Sequence, residues 1–372
     1  MITISLAMIV KDEEQTIEHC LNSVLQIADE IIIVDTGSTD RTKELCLKYT
    51  DKVYDFKWIN DFSAARNYSY SLATKDYILW LDADDILLPE DIIKFMELKK
   101  NLSKGIHVVM MKYATGYDDE GNIIFSYYRE RLTKRECKFK WKEPVHEHLE
   151  AGGRIYNSDI IITHTKPCSS DDNNTRNIEI YESQIKNGTS LSSRGTYYYA
   201  RELKEHERYE EAIEQFKSFL DSGLGWIEDN INSCNELGKC YLELDQPQKA
   251  LESYFRSFVY DRPRAELCCQ IGYFYQKKED YKSAAFWFEL ILTLEKPSDI
   301  WGFIQHECWD YIPFIECAVC YDRLGDYIRA QEFNDRALLV QPNSTSALKN
   351  RNYLKAKIEQ ESKRTKVLDL LQ

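Results

Sequence analysis

The sequence contains no uninterrupted apolar run of about 18 residues, so nothing in it reads as a transmembrane helix. It also lacks any surplus of positive charge. Against 62 Asp and Glu stand 48 Lys and Arg, for a net charge of −14. That balance argues against an electrostatic grip on nucleic acid beyond some local basic patch. The 11 cysteines have no zinc-like spacing. Cys268-Cys269 and the segment ECAVC, with Cys317 and Cys320, come nearest, and no second pair follows either. They read as core thiols. Their odd number disfavours a fully paired secreted scaffold and makes the cytoplasm the default compartment. The opening MITISLAMIVKDEE lacks both the basic region and the cleavage site of a signal peptide, and reads instead as a first β-strand. A glycine-rich loop after that strand, which a nucleotidyltransferase calls for, is missing too, because MIVKDEEQT has no glycine.

What is present is a globular composition, with 43% hydrophobic and 30% charged residues over 372 positions, enough for two or three domains. TISLAMIV (3–10), EIIIVD (30–35), KVYDF (52–56) and DYILWLD (76–82) read as strands. Helical stretches at about 14–25 and 63–73, and a helix start after TGSTDRT, separate them. Ser38 or Thr39 is expected to cap that start, with Asp40 ordering the turn. Strands alternating with helices of this length predict βαβ units and a mainly parallel sheet, with the ligand crevice beyond the carboxyl ends of the strands. Residues 105–165 look mixed. DDEGN is a hairpin turn, and DIIITH is a strand ending at His164. The polar stretch CSSDDNNT (168–175) marks a boundary.

From about residue 176 the pattern turns helical and repeats. Gly238 and Gly272 lie 34 residues apart, as do Tyr241 and Tyr275, Ala250 and Ala284, and Tyr254 and Phe288. A weaker unit precedes them, with Ala200, Ala212 and Phe216. Another follows, with Ala318, Tyr321, Ala330 and Ala337. Small residues that let antiparallel helices approach, with aromatics filling between them, describe a tetratricopeptide array. The spacing of 46 from Ala284 to Ala330 implies an insertion around SDIWGFIQHECWDYI, whose Trp301 and Trp309 belong either to the core or to a groove. The expected domains are therefore 1–167 (α/β), a linker or helix over 168–190, repeats over 191–350, and a C-terminal helix or tail over 351–372.

The segment YILWLDADDILLPED poses the chemical question. Asp82, Asp84 and Asp85 crowd the end of an apolar strand, where like charges repel. A hard divalent cation, which prefers oxygen ligands, relieves that repulsion and can at the same time hold diphosphate oxygens.

MIVKDEEQTIEHCLNSV, DEIIIVDTGSTDRT, DFSAARN, YILWLDADD and EPVHE, in this order over roughly residues 1–165, resemble a family 2 glycosyltransferase of the GT-A fold. Lys11-Asp12-Glu13 stands where many relatives have a Tyr-Asn-Glu-like sequence. The resemblance implies an α/β GT-A domain, here followed by tetratricopeptide repeats. It places the nucleotide at Val10 and Asp35 and gives Arg66 to the diphosphate, with Asn67 shaping the loop and Lys166 assisting. Asp82 is assigned to ribose or metal, Asp84 to the metal directly, and His164 to the metal or phosphates. Asp85 is either a supporting partner or simply solvated. Mn²⁺ or Mg²⁺ and a nucleotide sugar, UDP-linked, are the implied cofactor and donor. Glu147 is the expected general base, with Glu143 as the alternative and His146 positioning the acceptor. An inverting displacement needs one carboxylate behind the anomeric carbon and no covalent sugar–enzyme intermediate.

The two-domain architecture also resembles bacterial peptide S-glycosyltransferases that modify cysteine in glycocin-type bacteriocin precursors. It implies a peptide or protein partner on the repeats, a homodimer, or both. Related two-domain proteins glycosylate surface polysaccharides or lipid-linked acceptors. A noncatalytic nucleotide-binding scaffold is the alternative of another class.

Overall fold

The computed structural model describes residues 1–117, 121–165, 175–296 and 304–369, with side chains to 364 in the last helix. The chain forms two compact units, Met1–Glu202 and a second that begins at Leu203. The expected DDEGN turn falls partly on residues outside the described ones, as do Lys166, Trp301 and nearly all of the CSSDDNNT stretch. Among the described residues no helix is long and apolar enough to cross a membrane.

In the first unit the elements run β1 (Ile4–Val10), α1 (Ile17–Val24), β2 (Glu30–Asp35), α2 (Thr42–Cys46), β3 (Val53–Asp55), α3 (Phe62–Leu72), β4 (Tyr77–Trp80) and β5 (Asp85–Ile86). They continue with α4 (Pro89–Asn101), β6 (Val108–Tyr117), β7 (Ile123–Lys134), β8 (Trp141–Lys142), β9 (His148–Leu149), β10 (Ile155–His164), α5 (Arg176–Lys186) and α6 (Ser193–Glu205). The main sheet has the order β3-β2-β1-β4-β7-β6-β10-β5. It is parallel from β3 through β4, then mixed: β7 runs antiparallel to both β4 and β6, while β10 is parallel to β6. β1 and β2 are buried almost throughout, as strands covered on both faces must be, which is why they read as unbroken apolar runs.

The turn after β2 differs from the expectation in its capping group. Neither Ser38 nor Thr39 caps α2; the Asp40 carboxylate accepts the Thr42 and Glu14 N–H groups at 2.9 and 3.0 Å. Ser38 Oγ instead accepts the N–H of Asp12 at 3.0 Å. A carboxylate accepts two donors at once, and so ties the loop after β1 to the loop after β2.

The second unit is helical: α7 (Tyr209–Ser222), α8 (Ile227–Glu243), α9 (Pro247–Arg256), α10 (Ala265–Lys277), α11 (Tyr281–Ile291), α12 (His306–Trp309), α13 (Ile312–Arg323), α14 (Tyr327–Val340) and α15 (Thr345–Asp369). At Gly238 an added Cβ would lie 2.1 Å from the Tyr254 ring, and at Gly272 it would lie 2.6 Å from the Phe288 ring. Glycine is required there by the close approach of α8 to α9 and of α10 to α11. The turn between the two helices of each pair (α6–α7, α8–α9, α10–α11 and α13–α14) places one residue in the left-handed region: Glu207, Asp245, Glu279 and Gly325, at spacings of 38, 34 and 46. In each turn the following N–H closes onto the carbonyl five residues back: Arg208 on Leu203, Gln246 on Tyr241, Asp280 on Tyr275 and Asp326 on Tyr321. This is the six-to-one bond of a Schellman stop. The ten described cysteines are free, and all but Cys137 are buried.

Candidate active site

All residues of the site lie in the first unit, where several strands end on one edge of the sheet. The Val10 carbonyl accepts the N–H of Thr36 at 3.0 Å. Asp35, 3% exposed, accepts the N–H groups of Gly37 and Ser38 through Oδ1 at 2.8 and 2.7 Å, so one of its oxygens is committed to the turn. Gly37 has φ +110°, which suits a residue without a Cβ.

Arg66 is the hub. Asp61 caps the helix that carries it, α3, by accepting the N–H of Ala64 at 3.0 Å. The guanidinium is buried, donating to Glu147 Oε1 at 2.5 Å through Nε and to Asp82 Oδ1 at 2.7 Å through Nη2. It lies 4.9 Å from the ring centroids of both Trp80 and Trp141, which meet edge to face at 5.0 Å. Burial works to raise the Asp82 pKa, but Arg66 and Arg131 outweigh it and hold the carboxyl below its usual range. Asn67, one residue on, exchanges two hydrogen bonds with the Trp141 backbone, at 2.9 and 3.0 Å. It thereby fixes β8 just before the EPVHE loop.

Of the residues read as metal ligands, Asp84 and His164 stand in one cluster with Asp85, their ligating atoms within 4.8 Å of one another. Asp82 is turned to Arg66 instead. Asp85 is not solvated. It is fully buried and paired with fully buried Arg131 at 2.8 Å. Its Oδ2 also accepts the N–H of Asp82 at 3.0 Å, while Oδ1 has no hydrogen-bond partner. His164 Nδ1 shares a hydrogen bond with Tyr113 Oη at 3.0 Å and lies 3.5 Å from Asp84 and 3.7 Å from Asp85. Contacts with Asp84 and then Asp85 push the imidazole pKa up to about 10, against the opposing effect of burial.

This donor set fits a divalent cation. A buried carboxylate oxygen without a partner is costly and faces an imidazole that can carry either a proton or a metal. Asp84 and Asp85 stand with His164 in one cluster, where a cation in place of the imidazole proton would balance the two carboxylates. Two carboxylates with one imidazole suit Mn²⁺ better than Mg²⁺, which prefers oxygen alone.

The EPVHE loop meets the strand-end carboxylates through Arg66, which bridges Glu147 and Asp82. Glu147 reaches Arg66, whereas Glu143 and His146 turn towards α5 and α6. Ser192 Oγ donates to Glu143 Oε1 at 2.7 Å. His146 Nε2 meets Glu202 Oε1 at 2.6 Å, and its ring stacks on Tyr198 at 4.4 Å. Both Glu143 (φ 71°) and His146 (φ 51°) adopt left-handed backbone, which costs a non-glycine residue about 1–2 kcal/mol each and persists only where surroundings enforce it.

Sequence reading did not single out Arg129, Arg131, Tyr198 or Glu202. The Arg129 and Arg131 guanidiniums lie 4.7 and 3.9 Å from the Trp80 ring centroid. They sit in the run YYRERLTK of β7, where a register shift between Leu132 and Glu130 interrupts simple alternation.

Residues 5–164 match the model of glycosyl transferase family 2, and residues 265–297 match the tetratricopeptide repeat. Residues 5–164 are thus similar to a family 2 glycosyltransferase domain, and residues 265–297 to a tetratricopeptide repeat. A TPR repeat-containing protein of Synechococcus elongatus is 36% identical over 152 residues, 40% of this chain and 36% of that protein. The SPbeta prophage-derived glycosyltransferase SunS of Bacillus subtilis is 29% identical over 231 residues, 59% of this chain and 54% of SunS. An uncharacterized glycosyltransferase of Rickettsia bellii is 35% identical over 138 residues, covering 37% and 47% respectively. The chain therefore spans between 36% and 54% of the length of these relatives.

Proposed function

We propose that this protein is a metal-dependent inverting glycosyltransferase that moves a sugar from a UDP-linked donor to a cysteine or serine of a precursor peptide held by the repeats. The observation that carries the reading is the bridge Asp82–Arg66–Glu147 beside the Asp84–Asp85–His164 cluster. It sets a candidate base, a phosphate-type cation and a metal-type donor set next to one another. Support for the peptide acceptor is the helical repeat array, an architecture that offers extended binding surfaces; the similarity to SunS, over 231 residues, is longer than the 160 of the family match at 5–164.

In this reading Val10 and Asp35 hold the base and ribose, Arg66 faces the diphosphate, and Asp84 and His164, with Asp85, hold the cation. When bound, the cation neutralises charge on the leaving diphosphate. Glu147 takes the acceptor proton as the acceptor atom bonds to the anomeric carbon. The bond from that carbon to the phosphate oxygen breaks, and its electron pair leaves with the nucleoside diphosphate. Arg66 holds Glu147 in place through an ion pair at 2.5 Å. A thiol, which ionises near pKa 8.5, needs far less help than an alcohol.

A mass-spectrometric screen with several nucleotide sugars, Mn²⁺ and candidate peptides tests the proposal. One sugar added to a peptide cysteine, with release of nucleoside diphosphate, is the expected result. Sugar found only on glycan or lipid products overturns the peptide acceptor. Release of pyrophosphate overturns the enzyme class.

A further inference from the structure

The loop that presents Glu147 is held from outside the stretch matched by the family model. That match ends at residue 164, whereas the contacts come from α5, α6 and the residue before α6. Tyr181 Oη donates to the Val145 carbonyl at 3.3 Å, and Arg194 Nη2 donates to the His146 carbonyl at 3.4 Å. Ser192 holds Glu143 and, through the same Oγ, accepts the N–H of Gly195 at 2.9 Å. Glu202 accepts from both His146 Nε2 at 2.6 Å and Asn177 Nδ2 at 3.2 Å. Because a carboxylate only accepts, Nε2 carries the imidazole proton. Tyr198 is 8% exposed and stacks on the same ring at an interplanar angle of 19°. On the other side, the Pro144 carbonyl accepts the N–H of Phe62 at 2.9 Å. Two non-glycine residues of the loop sit in left-handed backbone. Released from these contacts, the loop would relax toward commoner conformations and carry Glu147 with it.

We propose that Glu202 is a positioning residue of the transfer reaction: through His146 it fixes the 143–147 loop, so that α5 and α6 complete the catalytic site. The inference rests on the glycosyltransferase reading. In this reading Glu202 acts through His146 and sets where Glu147 stands relative to Arg66. Displacing a reacting group by about 1 Å can cost on the order of a hundredfold in rate.

The test uses the full chain, UDP-glucose and UDP-N-acetylglucosamine as donors, and Mn²⁺, reading donor hydrolysis with water as acceptor. Glu202→Ala is expected to lower kcat by about 10- to 100-fold while leaving UDP affinity within about twofold. Glu202→Gln keeps an oxygen that accepts from Nε2–H and is expected to retain activity within about threefold of the unsubstituted protein. Hydrogen exchange at residues 143–149 should quicken in Glu202→Ala and not in Glu202→Gln. Unchanged kcat in Glu202→Ala overturns the proposal. So does a parallel fall of UDP affinity and kcat in both variants, which would mark a merely structural role. Failure of the unsubstituted protein to hydrolyse any donor while still binding UDP overturns the glycosyltransferase reading itself, and is told apart by that control.

Discussion

Three guanidiniums, Arg66, Arg129 and Arg131, gather within 5 Å of one indole, that of Trp80. Cation–π attraction of about 0.5–2 kcal/mol apiece helps hold like charges together, and each guanidinium also has a carboxylate in reach. Arg131 and Asp85 are both fully buried, so removing one strands the other in a low-dielectric setting. Arg131→Ala is accordingly expected to destabilise the first unit by about 3–5 kcal/mol, seen as an earlier urea midpoint in tryptophan fluorescence. Asp84, which is partly accessible, should behave oppositely. Asp84→Ala should leave the midpoint within about 1 kcal/mol yet abolish Mn²⁺-dependent donor hydrolysis and weaken Mn²⁺ binding measured by calorimetry. A variant that still hydrolyses donor at the original rate would remove Asp84 from the metal site. The acidic half of this arrangement was legible in DADD, because repulsion at a strand end demands a countercharge. The basic half was not. Arg129 and Arg131 come to Trp80 only because β7 lies antiparallel beside β4, a pairing that local sequence does not disclose.

At the scale of elements, one carboxylate ties several sheet segments together. Glu30 begins β2 and accepts from Ser5 of β1, from Lys52 before β3 at 2.5 Å, and from both the N–H and the hydroxyl of Thr74 before β4 at 2.9 Å each. Burial alone would raise its pKa, but these donors, Lys52 foremost, bring it down to about 2. A depressed carboxylate stabilises the fold above its unfolded pKa near 4.5, and that contribution is lost as pH falls through about 2. Glu30→Gln should therefore lower stability at pH 7 by on the order of 2 kcal/mol. The difference from the unsubstituted protein should shrink between pH 4.5 and 2 in acid unfolding followed by circular dichroism. The helical repeats give substitutions of opposite sign. Gly238→Ala gains helix propensity of about 1 kcal/mol but drives a methyl into Tyr254, and overpacking costs about 1–3 kcal/mol, so a net loss is expected. Glu279→Gly, at φ 60°, relieves left-handed strain and should raise the melting temperature slightly, by roughly 0.5–1 kcal/mol of stability. The helix pairs were legible because glycine and aromatic recur at one interval. The stops were not, since three of the four left-handed positions hold Glu or Asp rather than glycine.

For the molecule as a whole, alternating strands and helices identified the parallel part of the first unit, where every connection is local. The mixed part depends on β7 entering between β4 and β6, which is a long-range pairing and left only a hairpin as its trace. The catalytic loop shows the same limit. Its HE motif was readable, but the α5 and α6 contacts that hold it come from about 50 residues later. Every residue of the proposed site lies within Met1–Glu202, and this makes ligand binding testable without knowing the acceptor. A ligand that binds only the folded site stabilises it by RT ln(1 + [L]/Kd), about 2.7 kcal/mol at a hundredfold excess over Kd. UDP with Mn²⁺ should therefore slow hydrogen exchange in β1, β2, β4 and the DADD loop, where opening of the first unit must release the ligand. Peptides from α8 through α11 should exchange as before. EDTA should reverse the protection, and Asp84→Ala should prevent it. Protection confined to the helical unit would place the nucleotide elsewhere and detach the acidic cluster from the chemistry assigned to it.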